Sequence, residues 1–221
     1  MTDKKKKPDC PVGEVACRHI DELSTLRCRV DELSALVHTD TLTGLFNYRH
    51  FSMVLEQELE RTRRSGKPTS LIMLDLDHFK QVNDRWGHES GNRVLRQTGE
   101  LITQILRRLD IPCRYGGEEF ALLLPATPLA RAVQVAERLR QALSATPVEL
   151  EETKLAVTAS SGVNVYLRNS RITAEQFVKE TDAYLYQAKE QGRDRVCHPE
   201  YETVSPRGWV GKSEKDELLG N

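Results

Sequence analysis

Ile111-Pro112-Cys113-Arg114-Tyr115-Gly116-Gly117-Glu118-Glu119-Phe120-Ala121-Leu122-Leu123-Leu124 reads as two strands separated by a diglycine. Cys113 and Tyr115 precede the glycines and an apolar run from Phe120 to Leu124 follows. Gly116-Gly117 is the only flexible point between them, so residues 111 to 125 form a β-hairpin. Two adjacent glycines remove side chains where the backbone must turn and leave room for a ligand to approach the main chain. A hairpin tip accounts for Gly116 and Gly117, but not for the acids Glu118 and Glu119 directly after them.

Upstream, Ser70 to Leu76 contains the run Leu71-Ile72-Met73-Leu74 followed by acid, short and sharply bounded enough to be a buried strand. It is preceded by an amphipathic helix from Thr43 to about Arg64, stopped by Gly66 and Pro68. A helix begins after Gly91, with Val94, Leu95, Ile102 and Ile105 on its inner side. Beyond the hairpin come a helix from Pro128 to about Leu143, a strand from Leu155 to Tyr166, a helix from Thr173 to Gln191 and a short strand from Arg195 to Cys197. From Ser70 the order is β-α-β-β-α-β-α-β, which predicts an α+β fold: a mostly antiparallel central sheet flanked by helices, expected on one face.

Residues 1–18 and 199–221 are rich in charge, proline and glycine and read as a flexible leader and tail. Within 19–39, Leu23, Leu26, Val30, Leu33 and Val37 recur at steps of three and four, the spacing of a coiled-coil seam. Either this helix packs on its own domain or it forms a parallel dimer stalk, and the stalk is the better reading. Residues 40–198 form the main domain.

Lys plus Arg (32) nearly balances Asp plus Glu (33) in 221 residues, so whole-protein charge gives no reason to expect nucleic acid or an anionic membrane as partner. No apolar run reaches the ~18 residues that cross a bilayer, and the lysine-rich start lacks a signal-peptide core, which predicts a cytoplasmic protein without membrane insertion. The five cysteines read as reduced thiols. Cys10, Cys17 and His19 are metal-ligand types, but their spacing matches no standard zinc pattern.

Asp75 and Asp77 stand two apart at a strand end, so their side chains point the same way while Leu76 turns into the core. If the hairpin lies beside that strand, three or four carboxylates converge. Such a cluster repels itself unless a cation is bound, and a few carboxylates completed by phosphate oxygens suit Mg²⁺.

The segment from Arg114 to Phe120 resembles the signature loop of GGDEF-type diguanylate cyclases, in its Glu-Glu form. The resemblance extends, in order, through Asp40-Thr41-Leu42-Thr43-Gly44-Leu45-Phe46-Asn47, Asp75-Leu76-Asp77-His78-Phe79-Lys80, Asn83-Asp84, Gly87-His88, Gly91, Ser160-Ser161-Gly162-Val163 and Tyr186 to Arg193. It covers about residues 40 to 197. It implies a fold like the palm of nucleotide cyclases and polymerases, and condensation of two GTP into cyclic di-GMP with Mg²⁺, Mn²⁺ being the alternative ion.

Carried across by position, the resemblance implies that Asp75, Leu76 and Glu118 hold the metal with Glu119 assisting. Glu118 also helps deprotonate the attacking 3′-hydroxyl, and Lys80 joins Glu118 and Glu119 in the catalytic set. Phe79, Lys80, Lys189 and Arg193 contact phosphate, Gly116 and Gly117 admit the substrate, and Asn83 and Asn92 face the guanine. Arg107 and Asp110 match the family's Arg-x-x-Asp motif for inhibitory product binding, with Arg138 as a second arginine. A helix-terminal salt bridge is the alternative account of that pair.

Each subunit binds one triphosphate, so the reaction implies a homodimer, with an upstream regulatory protein as a further partner. One departure concerns Asn92, where the family usually has Asp. Asn offers one acceptor and adds a donor where guanine presents N–H groups. Two rival readings follow: a cyclase with relaxed purine choice, or a cyclic di-GMP receptor without turnover.

Overall fold

Strand β2 (Thr69–Leu76) is buried along its whole length, and its alternate side chains feed two separate cores. Leu71 and Met73 pack with Phe51, Leu55 and Leu59 of helix α1 (Tyr48–Ser65) and with Phe177 and Leu185 of helix α4 (Ala174–Glu190). Ile72, Leu74 and Leu76 pack with Val94, Leu95 and Ile102 of helix α2 (Phe79–Ile105) and with Ala132, Ala136 and Leu139 of helix α3 (Leu129–Ala145). Helices therefore cover both faces of the sheet, where the sequence reading placed them on one. Four successive apolar residues in β2 require this, because neighbouring side chains on a strand point to opposite faces.

This computed structural model describes residues 22, 23, 25–27, 29, 30, 38–150 and 153–201. The chain divides into two compact units, Met1–His38 and Thr39–Asn221. In the first, the described residues between 22 and 30 are helical, with Leu23, Leu26 and Val30 at least half exposed. Leu33, Val37, Cys10, Cys17, His19 and the tail from residue 202 lie outside the described residues.

The second unit is built on a six-stranded sheet in the order β1-β3-β4-β2-β7-β8. The remaining strands are β1 (Phe46–Asn47), β3 (Ile111–Arg114), β4 (Glu119–Leu124), β7 (Ala159–Tyr166) and β8 (Val196–Cys197). The inner pairings are antiparallel, and β1 and β8 add in parallel at the edges. A separate two-stranded ribbon joins β5 (Val148–Glu149) to β6 (Lys154–Leu155), so the expected long strand from Leu155 is split.

Two helix boundaries also differ from expectation. The helix predicted from Thr43 starts at Tyr48, because Asp40 first ties a turn: its carboxylate accepts from Thr43 N–H (2.9 Å) and Thr43 Oγ1 (2.7 Å), and Gly44 sits at φ +72°. Asn47 then caps the helix by accepting from His50 N–H. Helix α2 starts at Phe79, well before Gly91, and is broken at Gly87, whose φ of +79° and ψ of 161° are not helical. Helix α4 lies on β7 with no side chain between them at Gly162. A Cβ built there would stand 2.3 Å from both Thr181 O and Leu185 N.

Candidate active site

The register of β2 against β4 sets Asp75 opposite Glu119, and Leu76 N–H donates to Glu118 O (3.3 Å). The acids of two distant segments thus meet at one strand end. Burial foremost, and then the negative charge of Asp75, push the Glu118 and Glu119 carboxyls above the usual carboxylate range. Asp75 is itself pushed up by burial, against the pull of Lys189, whose Nζ lies 2.9 Å from Oδ2. The Leu76 side chain is 1% exposed, which leaves only its main chain to a ligand.

Neither glycine of the loop has positive φ. A Cβ on Gly116 would lie 2.8 Å from Glu119 Oε2, whereas the position of a Cβ on Gly117 is open. Arg114, just before the loop, donates from Nη2 (2.8 Å) and Nε (3.2 Å) to Gly117 O, while Nη1 bridges both oxygens of Asp40 at 3.2 and 3.3 Å. One guanidinium therefore pins the loop to the turn that opens the domain. Burial works against the Asp40 charge, but bonds from Thr43 and the Arg114 cation outweigh it and hold the carboxyl low.

The β2–α2 connection brings a second chemistry to the same end. His78 has φ +57° and makes no side-chain cap on α2, and the Phe79 and Lys80 N–H groups have no partner among the described residues. An uncapped helix N-terminus is a site for anions. The Lys80 side chain is exposed, as is that of Arg193 at the end of α4. Asn83 lies across the missing side chain of Gly91, where a Cβ would clash with Asn83 Oδ1 and with the Phe79 ring (3.2 Å). Asn92, next to Gly91, turns its Nδ2 to Glu89 Oε2 (3.4 Å).

Two expectations change with the geometry. Asp77 does not join the acid cluster through a free carboxylate: it accepts from Thr158 Oγ1 and Ser160 Oγ (2.7 Å each) and from Asp194 N–H (3.1 Å). Among the described residues, no three His, Cys, Asp or Glu side chains form a self-contained metal cage. The donor set still suits Mg²⁺, which takes few protein ligands beside phosphate oxygens. Here a buried carboxylate already draws in a lysine, and its two neighbours are raised by burial and then by its charge. Finally, Arg107 and Asp110 form no side-chain ion pair. Asp110 Oδ2 accepts from Arg107 N–H (2.9 Å), closing a turn that frees the guanidinium.

That guanidinium lines a cleft of about 600 Å³ with Arg131 and Arg138 of α3, away from the acid cluster. Arg114, Asp40, Arg140 and Asp194 were not among the residues singled out for the site. Asp40 and Arg114 lie inside motifs that the sequence displays, but their contact spans 74 positions and leaves no local signal.

Residues 37–195 match the family described as diguanylate cyclase, GGDEF domain. The chain belongs to the GGDEF diguanylate cyclase domain family. Response regulator PleD of Caulobacter vibrioides is 39% identical over 173 residues, covering 77% of this chain and 38% of PleD, so the chain spans well under half of that relative. The crystal structure of diguanylate cyclase SiaD from Pseudomonas aeruginosa, in complex with its activator SiaC, aligns with a TM-score of 0.71 and 39% identity over 82% of this chain and 72% of SiaD. The coiled coil and GGDEF domain of DgcB from Caulobacter crescentus, in complex with c-di-GMP, align with a TM-score of 0.70 and 29% identity over 82% of this chain and 95% of that one.

Proposed function

We propose that this protein condenses two GTP molecules into cyclic di-GMP, releasing two pyrophosphates, as a Mg²⁺-dependent homodimeric diguanylate cyclase. The reading rests chiefly on one observation: the Asp75 to Glu119 register sets raised carboxylates beside the uncapped N-terminus of α2. Acids for a cation and donors for phosphate are what transfer to an α-phosphate requires.

In this reading Asp75, Glu118, Glu119 and the Leu76 main chain would hold Mg²⁺, or Mn²⁺ in its place. When bound, the ion supplies charge neutralisation at the phosphates and lowers the cost of forming the 3′-alkoxide. The Phe79 and Lys80 N–H groups, with the Lys80, Lys189 and Arg193 side chains, bind and orient the triphosphate. Lys189 exchanges its ion pair with Asp75 for phosphate as the site fills. Glu118, raised by burial and by Asp75, is suited to accept the 3′-hydroxyl proton. The new bond joins that oxygen to the α-phosphorus of the second GTP, and the bond to pyrophosphate breaks. Two subunits face each other, and the exposed stripe of Leu23, Leu26 and Val30 suits a stalk that pairs them and receives an upstream regulator.

Asn92 fits a guanine substrate despite the missing acid. Its donor end is turned to Glu89, so the acceptor Oδ1 is the end offered to a base that presents N–H groups. Arg107 and Arg138, facing one cleft, suit a product phosphate or guanine edge and support inhibition by cyclic di-GMP. The deciding experiment incubates the protein with GTP, ATP or both plus Mg²⁺ and identifies products by mass. Cyclic di-GMP from GTP alone is expected. Binding of cyclic di-GMP without any product would replace this reading by the receptor one, and mixed or adenine dinucleotides would show relaxed purine choice.

A further inference from the structure

Gly192-Arg193-Asp194 is an unusual stretch of backbone, with φ values of +111°, +63° and +45° in succession. Two of these residues carry side chains, which disfavour the left-handed region, and such backbone persists only when its surroundings over-determine it. Arg193 N–H donates to Ala188 O (3.0 Å) and Gly192 N–H to Lys189 O (3.4 Å), which closes the end of α4. Asp194 N–H then donates to Asp77 Oδ2, and Asp194 Oδ1 accepts from Arg140 Nη1 (2.8 Å) and Ser144 Oγ (3.4 Å) on α3.

Each anchor is itself anchored. Asp77 is 5% exposed, with Thr158 and Ser160 of the neighbouring chain segment fixing its two oxygens. Arg140 turns its other donors to Glu137, Nε at 3.0 Å and Nη2 at 2.6 Å. Between the anchors, the exposed Arg193 guanidinium has no partner among the described residues, and its positive charge favours the ionised form of Asp75.

We infer that Asp77, Asp194 and Arg140 are positioning residues, a bonded strut that holds the left-handed turn and so aims Arg193 at the substrate phosphates, and that Asp77 is not a metal ligand. The inference rests on the cyclase reading given above. It separates two acids that look equivalent in sequence: Asp75 has its charge turned to the site, whereas Asp77 spends its charge on the scaffold. It also gives Asp194 a reason to be an acid, since its carboxylate has a guanidinium to hold and its N–H a carboxylate to meet.

Two measurements test it on the full chain. Asp194→Asn keeps the backbone N–H and the side-chain size but removes the charge that holds Arg140. Its KM for GTP should rise about 10-fold with kcat within about 2-fold, because substrate binding loses an aimed cation while the reacting groups stay in place. Arg140→Gln should reproduce that split, and Arg140→Lys should recover part of it. Asp77→Asn should leave the Mg²⁺ concentration for half-maximal activity unchanged, whereas Asp75→Asn abolishes turnover. Circular dichroism verifies the fold, and if Asp194→Asn unfolds, Arg140→Gln reads the same strut from its other end.

A GTP KM unchanged in both Asp194→Asn and Arg140→Gln would overturn the strut. A shift of the Mg²⁺ requirement in Asp77→Asn by about 10-fold or more would overturn its assignment as scaffold. Absence of cyclic di-GMP synthesis by the unsubstituted protein would instead strike the functional reading itself, so the two failures are distinguishable.

Discussion

Replacing Arg114 by Ala should both destabilise the domain and slow it. The guanidinium makes charge-assisted bonds to Gly117 O and an ion pair with Asp40, and the two side chains are only 18% and 22% exposed. A pair this sheltered exceeds the ~0–1 kcal/mol of an exposed one and falls short of the roughly 3–5 kcal/mol for breaking a fully buried one. A charged hydrogen bond to a carbonyl adds about 1.5–3 kcal/mol before allowance for shared geometry. Together they predict a loss of about 3 kcal/mol, or a fall in Tm of about 6–12 °C for a domain of this size.

Freed from Arg114, the Gly116-Gly117 loop loses its tie to the opening turn, and a displacement of about 1 Å at Glu118 costs on the order of 100-fold in rate. Arg114→Lys, which keeps the charge but not the fork, should fall between. Thermal melting and GTP turnover on the same preparations measure both effects. The loss of stability should shrink in acid. Asp40 is held below its ordinary range, so its contribution is present above the unfolded carboxylate value and fades as pH falls through the lowered one. A Tm drop under about 2 °C with unchanged turnover would refute the clamp.

Asp75→Asn and Glu118→Gln should each abolish cyclic di-GMP synthesis while circular dichroism stays native. Because Asp75, Glu118 and Glu119 are raised, their contribution is fully present below the ordinary carboxylate value and is lost as pH rises through the raised ones. Melting in chelator should therefore show falling stability across that window, and less of a fall in Glu118→Gln. Gly162→Ala should cost about 3 kcal/mol or more, read by denaturant unfolding, because the added methyl meets backbone atoms that cannot rotate away. Calorimetry on Arg107→Ala should show cyclic di-GMP binding loosened by roughly 5- to 150-fold, the loss of about 1–3 kcal/mol expected for a charged contact. Unchanged affinity would remove Arg107 from the product cleft.

Much of the architecture is legible before any coordinates, because its signals are local. The run Leu71-Ile72-Met73-Leu74 marks the central strand, the diglycine marks the hairpin, and the acids on both predict a shared strand end. The same run also implied cover on both faces, a consequence the one-face reading missed. Phe79 to Trp86 escaped as helix because Asn83, Asp84 and Gly87 resemble turn punctuation, and in fact Gly87 interrupts the helix without ending it. Strands of two residues, such as β1 and β8, are too short to show any alternation. The division of labour between Asp75 and Asp77 was invisible for a different reason. It depends on Thr158, Ser160 and Asp194, which only the fold brings near.

The bare contact at Gly162 makes helix α4 a ruler. With the backbone at Thr181 and Leu185 seated directly on β7, the helix has at Gly162 no cushion of side chains on which to slide or roll. From Leu185 to Lys189 is about 6 Å of rise, so the distance at which the lysine meets Asp75 is counted in residues rather than set by an adaptable loop. Inserting or deleting one residue in that interval would turn Lys189 by about 100° around the helix axis and take it off the site, however well the rest of the domain folded. Sequence drift can change what surrounds this segment, but its length is part of the chemistry.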